Sequence, residues 1–243
     1  MKRAVSAMAM MGLGLPAVLA EAGAQAGIPD PTASWNHLWY DVLLDLAIIG
    51  GIFLAAGLYW VYKYRATQPG QIGDAPKLTR SAAIGYALVP AFLFMADDFY
   101  LAAKGWTVWN EYRNVPRNAL EVKVTGSMWQ WSFEYDNGVT TSFEPDSKTG
   151  EGLVVPIGKP VVLRMTATDV VHSFFLPDYR VKEDLMPGRV TYLWFNPNKL
   201  GDTIATCAEY CGNRHSFMWS KVKVVPQAEF DTWMADKKQN KGA

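Results

Sequence analysis

Near its C-terminus the chain reads Cys207-Ala-Glu-Tyr-Cys211-Gly-Asn-Arg-His215-Ser-Phe-Met218. This short stretch holds both cysteines of the chain, together with a histidine and a methionine. Another histidine, His172, lies upstream on a separate segment. Thiolate and thioether sulfurs are soft ligands and imidazole suits copper or zinc, so the set favours copper and argues against magnesium or calcium.

The second cysteine leaves several interpretations open. A single electron-transfer copper ion needs one cysteine, two histidines and a weak axial methionine, whereas two thiolates can bridge a pair of copper ions. A disulfide between Cys207 and Cys211 is the commonest use of two cysteines in an exported chain, and a Cys2His2 zinc site is a further alternative. Because neither alternative uses a thioether at a fixed offset, His215 and Met218 favour copper.

The N-terminus has the pattern of a secretory signal peptide. Lys2 and Arg3 precede an apolar stretch at residues 4–19, and small residues follow where cleavage would occur. Processing near Glu21 would place the mature N-terminus outside the cytoplasm. An uncleaved signal anchor is the alternative, although the stretch is short for a membrane span.

Two longer apolar segments, at 38–62 and 81–103, are long enough to cross a bilayer. The loop between them concentrates positive charge, and its basic side chains are Lys63, Arg65, Lys77 and Arg80. The positive-inside rule therefore predicts that this loop is cytoplasmic and that both ends of the hairpin face outward.

The domain boundaries follow from these patterns. We predict a signal peptide at 1–20, a periplasmic segment at 21–37, transmembrane helices at 38–62 and 81–103 around a cytoplasmic loop at 63–80, a linker at 104–119, a β-domain at 120–225, and a C-terminal helix and tail at 226–243, polar from Lys237 onward.

Residues 120–225 have the pattern of a β-domain. Predicted strands, at 120–125, 128–135, 161–168, 190–195 and 221–225, are separated by turn residues such as Asp136-Asn-Gly and Met186-Pro-Gly. Short strands at this spacing indicate an antiparallel sandwich or barrel of roughly 100 residues. We expect His172 in one loop and the cysteine segment in another, so that the metal site lies at one end of the sandwich.

The chain resembles a known family, subunit II of haem–copper respiratory oxidases. The resemblance covers the two-span hairpin, the linker and the β-domain. It is carried by Asp169-Val-Val-His172-Ser, by Lys182-Glu-Asp-Leu-Met-Pro-Gly-Arg189 and by the segment from Cys207 to Met218. The resemblance implies an all-β, cupredoxin-like Greek-key barrel or sandwich behind the transmembrane α-helical hairpin.

The resemblance also implies a binuclear copper centre, called CuA. Cys207 and Cys211 would bridge the two copper ions, and His172 and His215 would each be a terminal ligand to one of them. Met218 would be a weak ligand to one copper ion. In such a family member the centre accepts electrons from cytochrome c and passes them to haem in subunit I, where oxygen is reduced.

Other residues take roles from the same resemblance. The backbone carbonyl of Glu209 would bind the second copper ion, and its side chain would reach a Mg²⁺ ion at the interface with subunit I. Trp129 would be the residue at which electrons from cytochrome c enter. Glu134, Asp136 and Asp169 are the candidate acids for docking cytochrome c, because surface charge steers such partners.

The chain also departs from the family pattern. Ala83 stands where the second span usually carries a glutamate that helps to feed protons to subunit I, counted back from Pro90. We expect proton uptake to differ here or to use another residue. Further departures are Ser127-Met128 before Trp129, Thr206 before the first cysteine, and Trp219 after Met218.

Three functions fit the sequence. The first is the electron-accepting subunit of a membrane cytochrome c oxidase, with subunit I (haem and CuB) and further oxidase subunits as partners and lipid around its spans. The second is the copper subunit of a related nitric oxide reductase. The third is a non-enzymatic, membrane-tethered copper carrier or sensor. The formal net charge of +0 gives no reason to expect a nucleic-acid partner.

The predicted location is a bacterial-type inner membrane, with the β-domain in the periplasm. The chain offers no haem site in its sequence, so oxygen reduction would belong to the complex.

Overall fold

The structure is a computed structural model that describes residues 30–73 and 77–240. Across those residues the chain forms two long helices, a β-domain and a C-terminal helix. The predicted signal peptide at 1–20, the stretch that follows it as far as residue 29, and the tail residues 241–243 lie outside the described residues.

Helix α1 spans Pro31–Lys63. Its start is capped by Asp30, whose carboxylate accepts a hydrogen bond from the backbone N–H of Thr32 at 3.0 Å. Proline at the first helical position suits this start because its missing N–H would have no partner there. The predicted span at 38–62 lies within this longer helix.

Helix α2 spans Arg80–Arg113 and keeps Pro90 within it. It runs antiparallel to α1, with Phe53 stacked on Phe94 and Lys104 bonded to Asp41 at 3.0 Å. Both helices are long and apolar enough to cross a membrane. Because α2 continues to Arg113, most of the predicted linker at 104–119 is helical.

The β-domain contains short strands in two sheets. They are β1 Leu120–Ser127, β2 Gln130–Tyr135, β3 Thr140–Glu144, β4 Thr149–Gly150, β5 Leu153–Pro156, β6 Val161–Ala167, β7 His172–Leu176, β8 Val181–Leu185, β9 Thr191–Phe195, β10 Gly201–Cys207 and β11 Trp219–Val225. Each stretch predicted as a strand overlaps one, although β1 and β11 are longer than predicted. β2 begins only at Gln130 because Met128 and Trp129 form the turn that precedes it.

The strand order is β4-β3-β2-β1-β6-β9 in one sheet and β5-β11-β10-β7-β8 in the other. The two-sheet sandwich confirms the predicted fold class, but the expectation of a purely antiparallel arrangement is wrong. β1 pairs with β6, and β5 with β11, in parallel. The chain leaves each sheet and crosses to the other before it returns, so these partners run in the same direction.

The core lies between the two sheets. In β1 the alternation of apolar and polar residues buries Val122 and Val124, while Lys123 points outward. Trp131 and Phe174 meet edge to face at 5.0 Å across the core. This aromatic contact lies directly beneath the end of the sandwich that carries His172.

Polar contacts join the helices to the β-domain. The hydroxyl of Thr32 in α1 donates to the carbonyl of Tyr179 at 3.0 Å. At the end of α2, Arg113 pairs with Glu183 at 2.8 Å, and the hydroxyl of Tyr192 donates to the Arg113 carbonyl. Contacts from both helices therefore hold the β-domain in one orientation.

The C-terminal helix α3 spans Gln227–Asn240. It packs on the sandwich through Phe230 and Trp233, which lie against the ring of Tyr135. The predicted polar tail from Lys237 onward is therefore helical as far as Asn240.

Candidate metal centre

The two cysteines lie side by side. Cys207 is the last residue of β10 and Cys211 follows in the next loop, and both are buried. Their Sγ atoms are 3.8 Å apart and both residues are free thiols. A disulfide requires about 2.05 Å between the sulfurs, so the structure holds a thiol pair and not a disulfide.

One imidazole flanks each sulfur. The Nδ1 atom of His172 lies 3.9 Å from Cys207 Sγ, and the Nδ1 atom of His215 lies 3.7 Å from Cys211 Sγ. Met218 places its Sδ atom 3.7 Å from Cys211 Sγ, while the Cys207 thiol donates to the Glu209 carbonyl at 3.2 Å. All the donor atoms of the predicted site therefore converge on the sulfur pair.

The cysteine loop is closed at its base. β10 and β11 pair antiparallel up to Thr206 and Trp219, and the N–H of Cys207 donates to the Met218 carbonyl at 2.9 Å. The chain between them turns through a short 3-10 helix at His215–Phe217. This hairpin closure brings the methionine back beside the cysteines.

His172 does not lie in a loop, contrary to our expectation. It is the first residue of β7, pairs with Leu185 across the sheet, and is fully buried. Gly126 in β1 permits this position, because a Cβ atom there would lie 3.2 Å from the His172 ring and 3.1 Å from Trp131. The edge of Trp131 packs on the imidazole with ring centres 5.9 Å apart.

Asp169 orients His172. One carboxylate oxygen lies 2.8 Å from His172 Nε2, and the other accepts the N–H of Met128 at 2.6 Å. This contact leaves Nδ1 facing Cys207, and a carboxylate behind a histidine is the usual support of a metal ligand. Although burial opposes ionisation of Asp169, its hydrogen bonds with His172 and the N–H of Met128 hold the carboxyl pKa below its usual range.

The two thiols differ in acidity. Burial opposes the ionisation of Cys207, but hydrogen bonds, first that with His172, outweigh it and lower the pKa of this thiol to about 7. At Cys211 burial and the negative charge of Cys207 together raise the pKa to about 12. Two neighbouring thiolates repel each other, so a cation bound between them would favour the doubly ionised pair.

The donor set suits soft metal ions. Ligand atoms of His172, Cys207 and Cys211 lie within 4.8 Å of one another. Together with His215, Met218 and the Glu209 carbonyl, they exceed the four donors that a tetrahedral zinc ion uses. A set of more than four donors that consists mainly of sulfur and imidazole fits copper, as the sequence predicted.

Trp129 touches the cysteine loop. Its indole N–H donates to the Cys211 carbonyl at 3.2 Å. The ring lies over Gly212, where a Cβ atom would be 3.3 Å from Trp129 Cζ2 and where φ is +117°. Glycine is favoured there because L side chains rarely adopt such a backbone.

The structure does not bring the predicted docking acids together. Asp169 is turned inward onto His172, whereas Glu134 and Asp136 lie near the far end of β2 from Trp129. At about 3.3 Å per residue, Glu134 is about 17 Å along the chain from Trp129. Its carboxylate is paired with Lys123 at 3.1 Å.

The remaining site residues have simple placements. The Glu209 side chain is exposed on the cysteine loop, and Ala83 lies exposed in the first turn of α2.

The sequence had not singled out Gly126, which allows His172 to pack against β1, or the carboxylate role of Asp169. A glycine inside a strand pattern is a signal of close backbone approach, and it could have drawn attention to Gly126.

Fold and site define a class: a membrane-anchored β-sandwich protein with a metal site built from thiols and imidazoles. The family model described as "Cytochrome C oxidase subunit II, periplasmic domain" matches residues 144–225. The alternative cytochrome c oxidase subunit 2 of Bradyrhizobium diazoefficiens is 30% identical over 234 residues, which cover 84% of this chain and 82% of the relative. The chain belongs to the cytochrome c oxidase subunit II family.

Other relatives have similar coverage. The cytochrome c oxidase subunit 2 of Cereibacter sphaeroides is 28% identical, over 84% of this chain and 76% of that protein. A crystal structure of the periplasmic domain of cytochrome oxidase subunit II from Bradyrhizobium japonicum is 34% identical, with a TM-score of 0.49 over 52% of this chain and 99% of that domain. As a family member, the chain is a subunit of a haem–copper oxidase and a membrane protein with a periplasmic domain.

Proposed function

We propose that this chain is the electron-accepting subunit of a bacterial cytochrome c oxidase and that it holds a binuclear CuA centre. The observation that carries the proposal is the sulfur pair, 3.8 Å apart, with one imidazole beside each sulfur. Cys207 and Cys211 would bridge the metal ions, and His172 and His215 would be the terminal ligands. When bound, the copper pair supplies one-electron transfer.

The side chains around the site have distinct tasks. Asp169 holds the ring of His172 so that Nδ1 faces the sulfurs. Burial of the cysteines and of Met218 excludes water from the sulfur pair, and a dry, apolar surrounding tunes a metal's redox potential. Because these ligands are set by a strand and a closed hairpin, they need to move little when the charge of the site changes.

Trp129 is the proposed point at which electrons enter the chain. Its indole N–H bonds to the carbonyl of Cys211, so the ring contacts the ligand loop directly. The exposed carboxylate of Glu209, two residues from each cysteine, is the proposed ligand of a Mg²⁺ ion shared with subunit I. Oxygen reduction belongs to subunit I, which carries haem and CuB in this proposal.

The proposed location is a bacterial inner membrane, with a cleaved signal peptide at 1–20 and helices α1 and α2 spanning the bilayer. Cytochrome c would reach the β-domain from the periplasm. With Ala83 near the cytoplasmic end of α2, proton uptake would not use a carboxylate at that position.

The test is metal loading of the full-length chain in detergent. We expect two copper ions per chain and an EPR spectrum with the multi-line hyperfine pattern of one electron shared by two copper nuclei. A single-copper spectrum at saturating copper would contradict the proposal. Turnover of the purified complex with oxygen and with nitric oxide then separates an oxidase from a nitric oxide reductase.

A further inference from the structure

Arg180 has a backbone conformation that is unusual for its residue type. It follows the short 3-10 helix Pro177–Tyr179 between β7 and β8, and its φ of 51° lies in the left-handed region. Its N–H donates to the carbonyl of Pro177 at 3.2 Å, which closes the turn. Because glycine would adopt this conformation without the steric cost that arginine meets, the turn itself gives no reason for an arginine at this position.

The guanidinium of Arg180 has no anionic partner in the part of the chain that the structure describes. The acids of the surrounding elements are Asp30 and Asp41 at α1, Asp178 before the turn, and Glu183 and Asp184 in β8. All of them except Asp184 are bonded to other groups of the chain, and Asp184 lies further along β8. The exposed Lys182 adds positive charge beside the turn. This surface is therefore suited to an anion.

The junction with α1 fixes Arg180 beside the membrane. The hydroxyl of Thr32 donates to the carbonyl of Tyr179, the residue that precedes Arg180. The guanidinium lies over the ring of Trp39, 5.9 Å from the ring centre, which is within the range of a cation–π contact. Trp39 lies near the periplasmic end of α1 with 46% of its surface exposed, and tryptophan at the end of a membrane span prefers the headgroup level. Arg180 therefore lies at the height of the phosphates of the periplasmic leaflet.

A cleft of about 380 Å³ lies between Arg180 and α1. Its α1 side is lined by Trp35, Leu38, Trp39 and Val42, which share one helical face because they follow the i, i+3, i+4, i+7 spacing. The cation is at the end of the cleft nearest the β-domain, and the apolar side chains continue along α1 toward the bilayer interior. A molecule that carries an anionic group on apolar chains has the same arrangement of polarity.

From this cleft we infer a binding site for a phospholipid of the periplasmic leaflet, with its phosphate on Arg180 and an acyl chain along Leu38 and Val42. A guanidinium offers parallel N–H donors that match the oxygens of a phosphate, and the contact with Trp39 holds its plane in place. Basic pockets beside transmembrane helices bind lipid head groups. The bound lipid would link the β-domain to the membrane surface, because Arg180 belongs to the β-domain and the acyl chain lies against α1. This role is separate from electron transfer and does not depend on copper.

The experiment titrates the full chain, purified in detergent, with phosphatidylglycerol. Native mass spectrometry counts the lipid molecules that each chain retains. We expect one phosphatidylglycerol molecule to stay bound at concentrations at which the others are lost. Diacylglycerol with the same acyl chains should not be retained, because it lacks the phosphate. Inorganic phosphate should not displace the lipid, because it lacks the acyl chains that lie along α1.

Three variants separate the outcomes. Arg180→Gln removes the charge and should weaken the affinity for the retained lipid by about tenfold. Arg180→Gly should weaken it equally and still fold, because glycine suits the left-handed backbone. Lys148→Gln is the matched control and should leave the affinity unchanged. Lys148 is likewise an exposed basic residue at a positive φ, 53°, but it lies in the turn between β3 and β4.

The inference is overturned if both Arg180 variants retain the lipid as the native chain does, if Lys148→Gln loses it equally, or if diacylglycerol is retained as well. An acidic group of subunit I is the competing partner for the guanidinium, so the purified oxidase complex with Arg180→Gly is also tested. Loss of subunit I from that complex, with the lipid still bound, would overturn the lipid site in favour of a subunit contact. Copper binding should be unchanged in every variant, because β7 separates the turn from His172.

Discussion

The two halves of the metal centre are built differently. His172 is fully buried, begins a strand, and has a carboxylate behind its ring. His215 is partly exposed and lies in a short 3-10 turn, with the ring of Tyr210 5.8 Å from its own. Within the part of the chain that the structure describes, no carboxylate is bonded to His215.

This difference shows which contacts keep each half of the site rigid. The His172 half is fixed by long-range contacts: the strand pairing with β8, the packing against Gly126, and the carboxylate of Asp169. The His215 half is fixed locally, by the closure of the loop between Cys207 and Met218. We therefore expect substitutions around His172 to act through remote packing, and those around His215 to act within the loop.

The largest effect on copper binding is expected at the sulfur of Cys207, which both halves would share. Cys207→Ser removes a soft ligand, so the copper content should fall below two ions per chain and the multi-line EPR pattern should disappear. Ser216→Ala, an exposed change within the same loop, is the matched control and should keep both. Retention of the multi-line pattern in the serine variant would break the assignment of a shared sulfur.

The next effect tests the carboxylate behind His172. Asp169→Ala should weaken copper binding by about 10- to 100-fold, because the imidazole loses the group that orients it. Competition with a copper chelator measures this affinity. Asp136→Ala, an acid outside the site, and Tyr210→Ala, beside His215, should leave it unchanged. Equal losses of copper affinity in the Asp169 and Tyr210 variants would show that the two halves do not differ in this respect.

A change in packing beside His172 tests the same comparison between the two halves of the site. Gly126→Ala introduces a Cβ atom between 3.1 and 3.3 Å from Trp131, His172 and Leu185. Such overpacking should lower the free energy of unfolding by about 1–3 kcal/mol. Urea unfolding of the metal-free chain in detergent, followed by circular dichroism, measures the change. Ser127→Ala, at the next position of β1, is the control, and an equal loss there would show that the glycine has no special role.

The smallest change in the free energy of unfolding is expected in the half that holds Cys211 and His215. Trp129→Phe keeps an aromatic ring but removes the N–H that donates to the Cys211 carbonyl. The loss of one hydrogen bond should lower the free energy of unfolding by about 0.5–1.5 kcal/mol. The same urea titration measures it, with the exposed Trp106→Phe as control. A loss larger than that of Gly126→Ala would reverse the ranking of the two halves.

Local patterns in the sequence were sufficient for much of this fold. The spacing from Cys207 to Met218 predicted a loop in which the donors meet, and the geometry places them together. Alternating apolar residues predicted β1, and the long apolar segments predicted both membrane helices. These features depend on neighbours in the chain, which is why the sequence displays them.

The features that sequence patterns did not predict depend on distant neighbours. Asp169 looked like a surface acid, and only its contacts with the ring of His172 and with Met128 on another loop show that it supports the candidate metal site. His172 looked like a loop residue, and only its pairing with Leu185 shows that it begins a strand. The parallel partners of β1 and β5 likewise follow from crossings between the sheets, which no local pattern records.

The junction at the end of α2 bears on how the soluble part could be cut from the chain. Arg113 lies 4.3 Å above the ring of Trp109 and completes its ion pair with Glu183. A fragment that starts at Leu120 would leave the half-buried Glu183 carboxylate without its cation and would uncover Tyr192. A truncation that preserves the native surface should begin before Trp109, and stability measured on a shorter fragment would understate that of the intact subunit.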